Sequence, residues 1–263
     1  MVESGFKTKT WAALKPHGPL VPHEITRRAV GDDDVHVKIA YAGVCHSDIH
    51  MVREEWGPSI FPMVPGHEIT GFVVAVGKNV TRFKVGDPAA VGCLVDSCRS
   101  CENCKNDAEN YCKTLMVSTY NDREKYPHCP GYDPETKTGA VTYGGYSQDI
   151  VVHEDYTYTL HKDMPLEQVA PLLCAGITVY SPLKYYGIKP GQKLAIAGLG
   201  GLGYMGVKFG VAMGCHVTVI SRGTAKKEDA LTRLGAHDFL DSTNKEAWAA
   251  SKERFDQIMD TIS

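Results

Sequence analysis

The chain has 263 residues, 43% of them hydrophobic and 22% charged, with 28 basic and 31 acidic side chains and a formal charge of −3. That length suits one large or two modest domains, and the composition excludes extensive disorder. No broad basic field points to nucleic acid or an anionic membrane, and no apolar run reaches the ~20 residues of a membrane span.

The first residues, MVESGFKTKTWAALKPHG, contain no apolar core of a signal peptide, so the expectation is a cytoplasmic protein. Nine cysteines are then expected to be reduced and to serve metals or chemistry rather than disulfides.

In chain order, Val35 to Tyr41 alternates apolar and polar residues, and Phe72 to Val76 is a compact apolar run closed by Gly77. Both read as strands of a β-rich, barrel-like domain. The character changes near residue 165, where Pro165 opens a helical spacing over 166–173. Strand and helix signals then alternate: 193–197, helix 201–213, 216–220, helix 224–234, a short strand at 238–240, helix 244–252 and a strand over 255–260. This alternation predicts a parallel sheet covered by helices. The domains are read as 1–160 and 161–263. A doubly wound dinucleotide sheet has six strands, and four are legible here.

Cys98, Cys101, Cys104 and Cys112 form C-x2-C-x2-C-x7-C. Short gaps let one loop wrap several thiolates around an ion, as in closed structural zinc sites; an iron–sulfur centre is the alternative. Gly198-Leu199-Gly200-Gly201-Leu202-Gly203 is G-x-G-x-x-G between a strand and a helix, the context of a pyrophosphate cradle. At the end of the next strand an NAD site carries an acidic residue. This sequence has Ser221, Arg222 and Gly223, then Lys226 and Lys227, which suits a 2′-phosphate and predicts NADP(H). Cys93 and Cys215 read as core, and His128-Cys129 as an ordinary loop within 126–145.

Three further segments, Gly43-Val44-Cys45-His46-Ser47-Asp48, Gly66-His67-Glu68-Ile69-Thr70-Gly71 and Pro171-Leu172-Leu173-Cys174-Ala175-Gly176, resemble the zinc-dependent medium-chain alcohol dehydrogenases. Together with Tyr120-Asn121-Asp122, Gly144-Gly145-Tyr146-Ser147 and the run 171–183, they are most similar to the NADP-dependent cinnamyl-alcohol-dehydrogenase-type aldehyde reductases. The resemblance covers about 11–263. It implies an α/β protein: a GroES-like barrel domain with a metal lobe at about 93–115, and a Rossmann domain that is incomplete here.

It further implies a catalytic zinc held by Cys45, His67 and Cys174, with Glu68 an occasional ligand and Asp48 orienting the histidine. Ser47 and His50 correspond to the proton relay, His46 to a pyrophosphate contact and Thr178 to a nicotinamide neighbour. With Gly198, Gly200, Gly201, Leu202, Gly203, Ser221, Arg222 and Lys226 for the cofactor, the expected set is two zinc ions, NADP(H) and a small alcohol or aldehyde. The resemblance implies a homodimer, formed through sheet strands that this sequence lacks, and the exposed fourth strand is expected to favour aggregation. The competing expectation is a zinc- and nucleotide-binding module without turnover.

Overall fold

The computed structural model describes residues 5–262. Packing divides them after Cys174, later than the boundary at 160 read from the sequence. The segment 161–174 belongs with the first unit because the short helix Leu166–Val169 and the turn after it lie on its main sheet, where Thr70 Oγ1 donates to the Leu166 carbonyl at 3.0 Å.

In the first unit the elements run β1 (Phe6–Ala13), β2 (Leu20–Arg27), β3 (Asp34–Ala42), α1 (His46–Val52), β4 (Ile69–Val76), β5 (Pro88–Val91), β6 (Leu94–Asp96), α2 (Glu102–Lys105) and β7 (Val117–Ser118). They continue through β8 (Tyr132–Asp133), β9 (Thr138–Gly139), β10 (Asp149–His153), β11 (Tyr158–Thr159) and α3 (Leu166–Val169). The main sheet is antiparallel, in the order β10-β3-β4-β5-β11. Val35, Val37, Ile69, Val73, Val91, Ile150 and Val152 pack together from its strands. The ribbon β1–β2 joins this body through bridges Thr10 to Ser147 and Ala13 to Met63.

The second unit comprises α4 (Ala175–Tyr185), β12 (Lys193–Ala197), α5 (Gly201–Ala212), β13 (His216–Ser221), β14 (Asp238–Asp241), α6 (Lys245–Ala249) and β15 (Gln257–Asp260). Its sheet is wholly parallel, in the order β14-β13-β12-β15. The central strand β12 buries Leu194, Ala195 and Ile196 completely, as a strand covered on both faces does. Gly210 of α5 lets the helix close on the sheet: a Cβ there would stand 2.7 Å from Leu194 and 2.9 Å from Val217. β15 is an edge strand, with Ile258 exposed.

Three helices differ from the sequence pattern. The run 166–173 is one α-turn followed by a 3-10 turn over Ala170–Leu173, because Pro171 lacks the N–H that would continue the ladder. The helix read over 224–234 begins only after Gly223, at φ +72°, and a loose turn at 224–226; it then widens to a π turn over Asp229–Arg233. The helix read over 244–252 keeps its Asn244 cap, which accepts from Ala247 N at 3.0 Å, but ends at Ala249.

One buried cation ties β2 to the segment ahead of β10. Arg27, 8% exposed, donates to the carbonyls of Asp149 (2.9 Å), Tyr143 (2.6 Å) and Gly144 (2.9 Å), and to Ser147 Oγ (2.9 Å). No other side chain presents so many donors in one plane. Replacing Arg27 by Met strands buried carbonyls. It is expected to lower unfolding free energy by about 3–5 kcal/mol in urea titration, and Arg27→Lys is expected to recover only part of that loss.

Candidate metal and cofactor sites

Cys45, His67, Glu68 and Cys174 are separated by up to 129 residues, yet each offers a donor atom within 4.8 Å of the others. Local backbone sets each one. Cys45 is the extended residue ahead of α1, and its N–H is accepted by the Asp48 carboxylate at 3.1 Å. His67 and Glu68 follow Gly66, whose φ of +102° turns the chain into β4 as only glycine does readily. Cys174 ends the 3-10 turn that follows α3. The Cys45 and Cys174 sulfurs are 3.7 Å apart.

Behind the cluster lies Asp48, 4% exposed. Its Oδ1 faces His67 Nδ1 at 3.2 Å and accepts from Gly66 N at 3.0 Å. Its Oδ2 accepts from Cys45 N and, at 2.8 Å, from the Tyr146 hydroxyl. Burial alone would raise this carboxyl; the His67 contact and the backbone and phenol donors outweigh it and hold the group below the usual carboxylate range. Tyr120 stacks on the His67 ring at 5.8 Å.

The donors strain against one another electrostatically. Shared hydrogen bonding with Cys174, and then burial, push the Cys45 thiol up to about 11. Burial and the neighbouring Cys45 charge push Glu68 up to about 7. Burial disfavours protonation of His67, but the Asp48 carboxylate and the two sulfurs prevail and carry it up to about 12. The cluster thus gathers three groups that are anionic when deprotonated around one imidazole, and a dication relieves that crowding. Two sulfurs and a nitrogen with an optional carboxylate are a donor set that zinc accepts.

The second cluster is local. Cys98, Cys101, Cys104 and Cys112 also bring their sulfurs within 4.8 Å of one another. Cys101 and Cys104 are 3.4 Å apart and Cys98 and Cys104 3.8 Å. Backbone N–H groups of Ser100 and Cys101 lower the Cys98 thiol to about 5, whereas burial raises Cys104 to about 12. A low thiol facing a high one is a site partly prepared for thiolate ligation.

His128 and Cys129 do find a third donor, Asp96, which sequence separation concealed. His128 Nε2 lies 3.2 Å from Oδ1, and the Cys129 thiol donates to Oδ2 at 3.3 Å. The carboxylate also receives the Arg99 fork at 2.9 and 3.0 Å and Ser97 N at 2.7 Å. Its lone pairs are therefore already engaged, and the group is a hydrogen-bonded node clamping the 126–145 loop.

On α1, Ser47 Oγ accepts from the Cys45 thiol at 3.5 Å. His50 pairs through Nδ1 with Glu55 and stacks between His46 (4.6 Å) and Trp56 (4.7 Å). His46 is exposed. Glu55 is the site neighbour that sequence reasoning missed; a carboxylate five residues on from a histidine is too common to stand out.

In the second unit the glycine-rich turn joins β12 to α5. Gly198 has φ +88°, and a Cβ on Gly203 would strike the Gly198 carbonyl. Gly200 and Gly201 face open space, with nothing within 4 Å of a would-be Cβ, so the helix N-terminus is approachable. Leu202 and Thr178 line one cavity of about 280 Å³ with Thr261. Ser221 ends β13 and Arg222 extends beyond it, exposed. Lys226 donates to the Leu199 carbonyl at 2.8 Å, which places it beside the turn.

The alcohol dehydrogenase GroES-like domain matches residues 31–162. A probable cinnamyl alcohol dehydrogenase 3 of Oryza sativa subsp. japonica is 51% identical, over 96% of this chain and 66% of its own length. Alcohol dehydrogenase 9 of Catharanthus roseus is 51% identical, over 99% and 69%. The chain spans about two thirds of the length of such relatives. A cinnamyl alcohol dehydrogenase structure from Sorghum bicolor superposes with TM-score 0.90 at 44% identity, over 98% of this chain and 70% of that one. One from Helicobacter pylori, complexed with NADP(H), gives 0.87, also at 44%, over 98% and 70%. With half its length carrying the domain signature and relatives at this identity, the chain belongs to the medium-chain alcohol dehydrogenases, among the cinnamyl alcohol dehydrogenases.

Proposed function

We propose that this chain serves alcohol–aldehyde interconversion by hydride exchange with NADP(H), with one zinc ion at Cys45, His67 and Cys174 and a second at the four cysteines. The observation that carries the reading is the convergence of Cys45, His67, Glu68 and Cys174, backed by a buried Asp48 on the far side of the imidazole. Zinc, when bound, supplies Lewis acidity toward a substrate oxygen. Asp48 fixes the His67 ring so that its other nitrogen points at the donors. Glu68 is poised to enter or leave the ligand set, because its carboxyl shares their space. Ser47 and His50, both on α1, offer a hydroxyl and an imidazole as a route for the proton released or taken up with the hydride.

For the cofactor, the open N-terminus of α5 presents unpaired N–H groups to a pyrophosphate. Arg222 and Ser221 supply a cation and a hydroxyl where an NAD site would carry a carboxylate. Lys226 adds a second charge. The relatives' names include cinnamyl alcohol dehydrogenases and probable mannitol dehydrogenases, which supports alcohol–aldehyde chemistry; the substrates proposed here are aromatic or medium-chain primary alcohols and their aldehydes.

Three measurements test this. Elemental analysis is expected to give two zinc ions per chain, falling to one in Cys174→Ser, to one in Cys101→Ser and to none when the two are combined. NADPH binding, followed by fluorescence, is expected to weaken roughly 10-fold in Arg222→Ala while NADH binding stays put, since a charge-assisted hydrogen bond contributes about 1.5–3 kcal/mol. NADPH oxidation across a panel of aromatic aldehydes then separates turnover from mere binding; zinc and NADPH bound with no oxidation of NADPH would favour the non-catalytic module.

A further inference from the structure

The anchoring of Asp48 has a part that neither zinc-ligand chemistry nor the relay accounts for. Its Oδ1 serves the ligand side, meeting His67 Nδ1 and Gly66 N. Its Oδ2 is held by Cys45 N and by the Tyr146 hydroxyl, at 2.8 Å the shortest of the four contacts. Tyr146 comes from a segment 98 residues away that is itself closely registered. Tyr146 N donates to the Pro65 carbonyl at 2.9 Å, Gly145 N to the Gly66 carbonyl at 2.8 Å, and the Tyr146 carbonyl accepts from Trp11 N at 2.8 Å. The fit leaves no slack. A Cβ on Gly66 would stand 2.9 Å from Gly145 N, Tyr146 N and the Tyr146 ring.

We infer that Tyr146 is a positioning residue for the Cys45–His67–Cys174 centre: through its hydroxyl it locks the rotation of the Asp48 carboxylate, and so the orientation and tautomer of the His67 ring. The inference rests on the metal reading proposed above. The last torsion of a carboxylate is broad, and each contact on its oxygens narrows it. With the phenol gone, Oδ2 loses its shortest contact, and the range of that torsion, and with it of the Oδ1–His67 contact, widens. Burial, and after it the Asp48 charge, push the phenol above its ordinary range, so the hydroxyl stays a donor. Ser147 in the same segment provides a comparator. Its hydroxyl serves Arg27 and the carbonyls of Gly144 and Asp149, away from Asp48.

The test is metal release from the zinc-loaded full chain to a chromogenic chelator, read as two phases, one per cluster. Outer contacts of a metal ligand typically change affinity 10–100-fold. As Tyr146 acts one contact further out, Tyr146→Phe is expected to speed the Cys45–His67–Cys174 phase by ~3–10-fold and leave the four-cysteine phase unchanged. In the cobalt-substituted protein the visible ligand-field bands should shift in Tyr146→Phe and stay in place in Ser147→Ala. Equal release rates and spectra in wild type and Tyr146→Phe would overturn the inference alone. So would a matching acceleration in Ser147→Ala, which would mark a general loosening of the segment. A wild-type chain that releases metal only from the four cysteines would overturn the metal reading, and this inference with it.

Discussion

The Cys45–His67 side of the first unit's site is built around one buried carboxylate, Asp48. Asp48 contacts His67 on one oxygen and ties Cys45 to the Gly144–Ser147 segment on the other. A buried anion without partners would destabilise the fold by several kcal/mol; here four contacts satisfy it, and those from Cys45, Gly66 and His67 also fix the elements that bear donors. The start of α1, the entry to β4 and the turn ahead of β10 are thereby fastened to one group. Arg27 acts similarly one layer out, gathering the carbonyls of Tyr143, Gly144 and Asp149. The same hydrogen bonds that stabilise the fold therefore define the site.

The second unit is built on closeness instead of polarity. Glycines at 203 and 210 let α5 lie against β12 and β13, with Leu194, Ile196 and Val217 filling the contact. Close approach brings the helix N-terminus to the end of the central strand, and Gly200 and Gly201 leave it uncovered. Lys226 and Arg222 then add positive charge near the rim. None of these features requires a special side chain beyond the glycines, and for that reason the turn was plain in the sequence.

Legibility tracked sequence distance. The parallel sheet of four strands and the glycine-rich turn follow from local patterns, and the strands expected at 193–197, 216–220 and 238–240 lie within a residue or two of the observed ends. The four cysteines span only 98–112, so spacing alone announced them. Helix ends were less legible: Pro171 split one pattern, and Gly223 delayed another. The grouping of Cys45, His67 and Cys174 could be reached only by resemblance, because no local rule links residues so far apart. Asp96 beside His128 and Cys129, and Tyr146 beneath Asp48, were invisible for the same reason. Each is an ordinary residue until the chain folds back on itself.

That contrast in sequence span has a kinetic side. Closing a loop of a dozen residues is entropically cheap and fast, whereas joining positions 45 and 174 requires nearly the whole β-rich unit to be in place. A chain leaving the ribosome exposes all four lobe cysteines while Cys174 is still unsynthesised. The four sulfurs of 98–112 can thus come together during translation, and the grouping of Cys45, His67 and Cys174 is assembled only afterwards.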